Sequence, residues 1–168
     1  MDVEKATFDT AARAVITGRA GLFLGEQAFI HLGQCIVVGR SRTCDVSVAR
    51  AGECLKLSKE ALEHHASYRK ISRRHFRVCL VSAEVLEVED LSTNGTVVNG
   101  HRVHRVQIPT FGTEIKEVVI EFGEGENMLV EAASVRAVAP SERRTELHDL
   151  GPIRRPSPLA DIEETPVP

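Results

Sequence analysis

The sequence predicts an all-β sandwich or barrel of about ten short strands within residues 21–133. Three observations carry that prediction. Apolar and polar residues alternate with a period of two in several short runs, the signature of half-buried strands. Asn-Gly and Gly-x-Gly turns punctuate those runs, and Asn-Gly suits tight hairpins because both residues tolerate positive φ. The composition is that of an ordinary globular chain, 42% hydrophobic and 27% charged, with only 4% aromatic residues. A core built from it must rest on Val, Leu, Ile and Ala.

In chain order, residues 1–20 read as an N-terminal extension, with a weak helical turn around Ala11–Val15. Strands are then expected at 21–25, 28–32, 34–39 and 45–48. Residues 50–71 form one long connection in a chain of short ones. Within it Ser58, followed by Glu60, Ala61 and Leu62, looks like an N-cap and a short helix. Phe76, Val78 and Leu80 alternate with Arg77 and Cys79, and Leu86 and Val88 alternate with Glu87 and Glu89. A short strand fits between Asn94-Gly95 and Asn99-Gly100. Val118, Ile120 and Phe122 share one face of a further strand, and 128–132 completes the set after Gly123-Glu124-Gly125. From residue 134 to 168 the chain reads as a disordered, Pro-rich tail. Six of its seven prolines lie at or after Pro140, and few apolar residues interrupt the polar ones.

The 168 residues carry a formal charge of −3, so the global basic field that drives nucleic-acid binding is absent. Arg69, Lys70, Arg73, Arg74 and Arg77 are a local basic cluster without aromatic partners, a poor platform for bases. No apolar run is long enough to span a bilayer, so no membrane insertion is expected. The first residues lack a basic stretch followed by an apolar one, and the expected location is the cytoplasm.

Four cysteines, at 35, 44, 54 and 79, form no Cys-x-x-Cys pair. Cys35 and Cys79 lie in apolar runs and read as small buried hydrophobes, so a disulfide framework is rejected. His64 and His65 with Cys54 are rejected as a metal site, because adjacent helical side chains point about 100° apart. No metal or other cofactor is expected.

Three polar clusters remain. Val38-Gly39-Arg40-Ser41 ends an apolar strand, where glycine permits a sharp turn and arginine projects from the loop. Ile71-Ser72-Arg73-Arg74-His75-Phe76 places a hydroxyl, two guanidinium groups and an imidazole just before a strand, a combination suited to an anion. Asp90-Leu91-Ser92-Thr93-Asn94-Gly95-Thr96 offers hydroxyls and an amide from a tight turn. No Gly-x-Ser-x-Gly elbow, acid–base pair or nucleotide-binding glycine loop accompanies them, so the chain is not read as an enzyme.

Together and in this order, the clusters resemble the forkhead-associated (FHA) domain. The family pattern of Gly-Arg, Ser-x-x-His, Ser-x-Asn-Gly and Val-Asn-Gly stands here as Gly39-Arg40, Ser72–His75, Ser92–Gly95 and Val98–Gly100. The resemblance covers residues 21–133 and implies a β-sandwich of about eleven short antiparallel and mixed strands. It implies a site for a threonine-phosphorylated peptide at the loop end. Arg40 would contact the phosphate, Ser72 would donate its hydroxyl, and Arg73 would add a phosphate or peptide contact. Thr93 would line the site and Asn94 would bond the peptide backbone. Gly39 and Gly95 would permit the turns, and His75 would brace a loop.

The implied function is that of a non-enzymatic adaptor in Ser/Thr protein kinase signalling, with a kinase or its substrate as partner. The alternative is a phosphate-independent scaffold subunit of a multiprotein assembly such as a secretion system. The 26 residues between Asp45 and Ser72 exceed what a compact domain of this kind needs. Because they lead into Ser72, residues 50–71 are expected to shape ligand choice or partly cover the site. In the tail, Thr145 and Thr165 are candidates for phosphorylation and docking on Arg40.

Overall fold

Alternation resolves into eleven strands in the computed structural model, which describes residues 13–133. They are β1 (Arg13–Ala20), β2 (Gln27–His31), β3 (Cys35–Gly39), β4 (Val46–Ser47), β5 (Phe76–Ser82) and β6 (Val85–Asp90), followed by β7 (Thr96–Val98), β8 (His101–Val103), β9 (Arg105–Ile108), β10 (Glu117–Phe122) and β11 (Glu126–Ala133). A six-stranded sheet has the order β2-β1-β11-β10-β7-β8, and a five-stranded sheet the order β4-β3-β5-β6-β9. All neighbouring strands are antiparallel except β3 and β4, which run parallel.

The two inner faces share one core. Ile16, Ile30, Val118, Ile120 and Val130 face Ile36, Val78, Leu80, Leu86 and Val88, all at most 3% exposed. Each such side chain contributes on the order of 1.5–3 kcal/mol by leaving water. Aromatic side chains are few but concentrated. Phe23, Phe76 and Phe122 meet with ring centroids 5.0–5.5 Å apart, under the loops that carry the polar clusters.

Register sends those loops to one end. Val38 near the end of β3 pairs with Phe76 at the start of β5, and Phe76 pairs with Asp90 at the end of β6. Thr96 at the start of β7 pairs with Phe122 at the end of β10. The segments after residue 39, before residue 76 and after residue 90 therefore emerge together.

Several expectations need correction. Residues 13–20 form β1, between β2 and β11, rather than a helical turn in an extension. Its side chains pack inward only because two strands flank it, information that a local window lacks. Residues 21–23 form a 3₁₀ turn instead of a strand. The buried Glu126 carboxylate accepts from Leu22 N and Phe23 N at 3.0 and 3.2 Å and holds the turn in place.

The long connection folds as three short helices, α1 (Gly52–Leu55), α2 (Lys59–His64) and α3 (Ala66–Lys70). Ser58 caps α2 as expected, its Oγ accepting from Ala61 N at 3.1 Å. The residues preceding 13 and those from 134 onward, including Thr145 and Thr165, lie outside the described residues.

The cysteine reading also changes. Cys35 and Cys79 sit directly opposite each other on β3 and β5, with Cα atoms 4.0 Å apart, and are joined by a disulfide. Cys35 is exposed rather than buried, while Cys44 and Cys54 are free and buried. Only strand register brings the pair together, so spacing along the chain could not reveal it. The bridge closes a loop with a sequence separation of 44 residues. Loop-closure entropy then gives up to about 4 kcal/mol of stabilisation. We expect a dithiol reductant to lower the melting temperature by about 5–15 °C. Equal melting curves with and without reductant would show that the bridge contributes nothing.

Candidate functional site

The backbone assembles the site. β3 ends at Gly39, where an added Cβ would lie 2.4 Å from the Arg73 carbonyl oxygen, so only glycine lets the 72–75 segment cross so closely. Pairing continues beyond the strands. His75 N donates to Val38 O at 2.8 Å, Arg40 N to Ser72 O at 3.0 Å and Ser41 N to Arg73 O at 3.0 Å. Arg40 and Ser72, 32 positions apart, thereby become neighbours. The Cys44 thiol adds a contact to Arg73 O at 3.0 Å, and burial holds that thiol protonated by raising its pKa.

His75 joins this segment to the next loop. It is fully buried, and its Nδ1 accepts from Ser72 N at 3.0 Å. The other nitrogen must then carry the proton, and Nε2 donates to Gly95 O at 3.1 Å. Burial lowers the pKa of His75 against the opposing pull of the Gly95 carbonyl and Asp90, so the ring is neutral. The ring also packs against Phe122, with centroids 5.0 Å apart, and meets Phe76 edge-on at 6.3 Å. Both ring nitrogens are occupied by backbone, so His75 does not activate the Ser72 hydroxyl as a base.

The 90–96 turn is wound on one carboxylate. Asp90 Oδ1 accepts from Ser92 N at 3.1 Å, Ser92 Oγ at 2.6 Å and Thr96 Oγ1 at 2.8 Å. Burial alone would raise the Asp90 pKa, but these donors outweigh it and lower the value. Ser92 Oγ in turn accepts from Gly95 N at 2.7 Å. Gly95 has φ +98°, and Arg102 lies against it. Asp90 and Ser92 thus shape the turn while Thr93 and Asn94 remain exposed at its tip.

The remaining side chains leave donors free. Ser72 Oγ accepts from Thr93 N at 3.1 Å, so its own hydroxyl hydrogen points elsewhere. Asn94 Nδ2 donates to Lys70 O at 2.9 Å, which leaves Oδ1 as an open acceptor. Arg40 lies over the Tyr68 ring, 5.4 Å from its centroid. Among the described residues no carboxylate pairs with Arg40, Arg73 or Arg74. The structure therefore brings Arg40, Ser72, Arg73, Thr93 and Asn94 to one end, with Gly39, His75 and Gly95 beneath them.

Sequence reasoning assigned no role to Tyr68, Asp90 or Arg102. Asp90 carries a legible signal, a carboxylate two residues before a serine in a tight turn. Tyr68 carries none, because its relation to Arg40 exists only once the long connection has folded. Beside Asn94 and Gly95 a cleft of about 480 Å³ opens, walled by Val97, Arg102, Glu121 and the Gly123–Gly125 turn. Such an array suits an anion with several acceptor oxygens, held by planar guanidinium groups and a hydroxyl.

Residues 36–115 match the family model of the FHA domain. The fold is similar to that of the FHA domain of the CT664 protein from Chlamydia trachomatis. That match has a TM-score of 0.51 at 20% identity and covers 71% of this chain and 96% of that one. It is also similar to the FHA domain of an Arabidopsis thaliana hypothetical protein. There the TM-score is 0.53 at 22% identity, covering 74% of this chain and 89% of that one. No curated protein matches. The match places an FHA domain within residues 36–115 of this chain.

Proposed function

We propose that this chain is a phosphothreonine-peptide reader, a non-enzymatic adaptor in Ser/Thr protein kinase signalling. The observation that carries the reading is Arg40, whose guanidinium has no carboxylate partner among the described residues and whose backbone pairs with that of Ser72. A phosphothreonine brings a charge of about −1.5 to −2 and three strong acceptor oxygens. Arg40 would grip it with its fork, Ser72 and Arg73 would supply further donors, and Thr93 would line the site. Asn94 Oδ1 would accept a peptide N–H, and the adjacent cleft is large enough for neighbouring peptide side chains. Gly39, His75 and Gly95 would support the loops.

Each charge-assisted hydrogen bond is worth on the order of 1.5–3 kcal/mol. Ordering a peptide costs part of that sum, so moderate affinity results. Without the phosphate the same donors face a neutral hydroxyl and affinity falls steeply. The partner is accordingly a threonine-phosphorylated protein, a kinase or its substrate, met in the cytoplasm. No helix among the described residues is long and apolar enough to cross a membrane.

An oriented library of phosphothreonine peptides, passed over the immobilised chain beside its unphosphorylated counterpart, tests the proposal. Selective retention of the phosphorylated library is expected. Equal retention of both would point instead to a phosphate-independent scaffold.

A further inference from the structure

We infer that α3 is a positioning element of the binding site and that Tyr68 is the residue through which it holds Arg40 ready for phosphate. The inference rests on the phosphothreonine reading and specifies how that site is kept in order.

The helix is only five residues long, so it cannot hold itself in place. Its position comes from three attachments. Ser67, 2% exposed, donates from Oγ to Glu126 Oε1 at 2.6 Å, the same buried carboxylate that fixes the 21–23 turn. Ile71, 1% exposed, anchors the end of the helix in the core. Lys70 Nζ meets Glu124 of the β10–β11 turn at 2.6 Å. Anchored in this way, α3 touches ligand-facing side chains from two different loops. The Lys70 carbonyl takes the Asn94 amide hydrogen, and the Tyr68 ring lies beneath Arg40.

The second contact has a specific chemical consequence. Arginine's five N–H donors lie in the guanidinium plane. A tyrosine ring within cation–π range therefore attracts the guanidinium without using any of those donors, which stay free for phosphate oxygens. Among the described residues, Arg40's side chain has no other hydrogen-bonding or ionic partner, so Tyr68 is what restrains it. A long side chain without that restraint would have to be ordered by the ligand itself, which weakens binding. Residues 50–71 thus act on the ligand site through an aromatic platform.

The test uses the full chain and a phosphothreonine peptide flanked by alanines, with its unphosphorylated twin as control. In the absence of peptide, the Arg40 Nε–H proton resonance is expected to be shifted upfield by the Tyr68 ring current. The shift should be lost in Tyr68→Leu and restored in Tyr68→Phe. In titrations, Tyr68→Leu should weaken phosphopeptide binding by about 3- to 10-fold, and Tyr68→Phe, which keeps a ring packed against the core, should rescue it. In an Arg40→Ala background, where no cation lies over the ring, the Tyr68→Leu loss should shrink towards none. Wild-type affinity in Tyr68→Leu, or a full additive loss in Arg40→Ala, would overturn the positioning role and leave the phosphothreonine reading intact. If the wild-type chain binds both peptides equally, the phosphothreonine reading fails and the inference falls with it.

Discussion

Replacing Arg40 by alanine is expected to weaken binding of a phosphothreonine peptide by about 100-fold or more, at unchanged fold stability. The substitution removes a two-pronged, charge-assisted contact worth on the order of 3 kcal/mol. It removes little the fold depends on, because among the described residues the half-exposed guanidinium makes no hydrogen bond and its aromatic contact is with the half-buried Tyr68. Arg40→Lys should lie between the two, near 10-fold, since it keeps the charge but loses the fork. Calorimetric titration, with urea unfolding of each variant as control, measures both quantities. A loss of less than 3-fold in Arg40→Ala would place phosphate recognition elsewhere.

The second large effect concerns His75. Its ring is fully buried, bonds both the 72–75 segment and Gly95, and packs on Phe122. His75→Ala leaves a cavity and two unmet backbone groups, at a cost of about 3–4 kcal/mol. A lowering of the melting temperature by about 10–15 °C is expected, together with weaker peptide binding, because the two loops lose their link. The same residue gives the wild-type chain a pH signature. Its pKa in the folded state is lowered from the ordinary value of 6.5, chiefly by burial. The unfolded chain therefore binds more protons as pH falls below about 6.5, and stability drops with a slope of up to about 1.4 kcal/mol per pH unit. Asp90, whose pKa is lowered from 3.8, adds a separate loss only at more acid pH. Urea unfolding at pH 7.5 and 5.5 should show the first loss in the wild type and not in His75→Ala. Equal pH dependence in both would show that His75 is not its source.

Much of this organisation was legible in the chain, for physical reasons that differ by element. Strands such as β5 and β10 are long enough for a period of two to declare itself, and Asn94-Gly95 and Asn99-Gly100 state their turns outright. β8 and β9, three and four residues long, offer too few repeats to be distinguished from loops. β1 and the 21–23 turn differ from expectation because neighbours settle both cases. Flanking strands define β1, and a carboxylate more than 100 residues away stabilises the 21–23 turn.

The residues proposed to meet the ligand are legible in the chain because their motifs are short and contiguous. Tyr68 and the Cys35–Cys79 bridge were not, since each is a relation between segments that meet only in the fold. The expectation of buried thiols holds for the burial of Cys79 but not for Cys35, which is exposed. Register sets the two opposite each other on neighbouring strands, where they are joined.

Isothermal titration of the full chain with one phosphothreonine peptide and the identical peptide bearing unmodified threonine tests the central claim most directly. Binding of the phosphorylated form in the micromolar range (about −8 kcal/mol), with no heat from the unmodified form at millimolar concentration, is the predicted result. Equal affinity for the two peptides would contradict it.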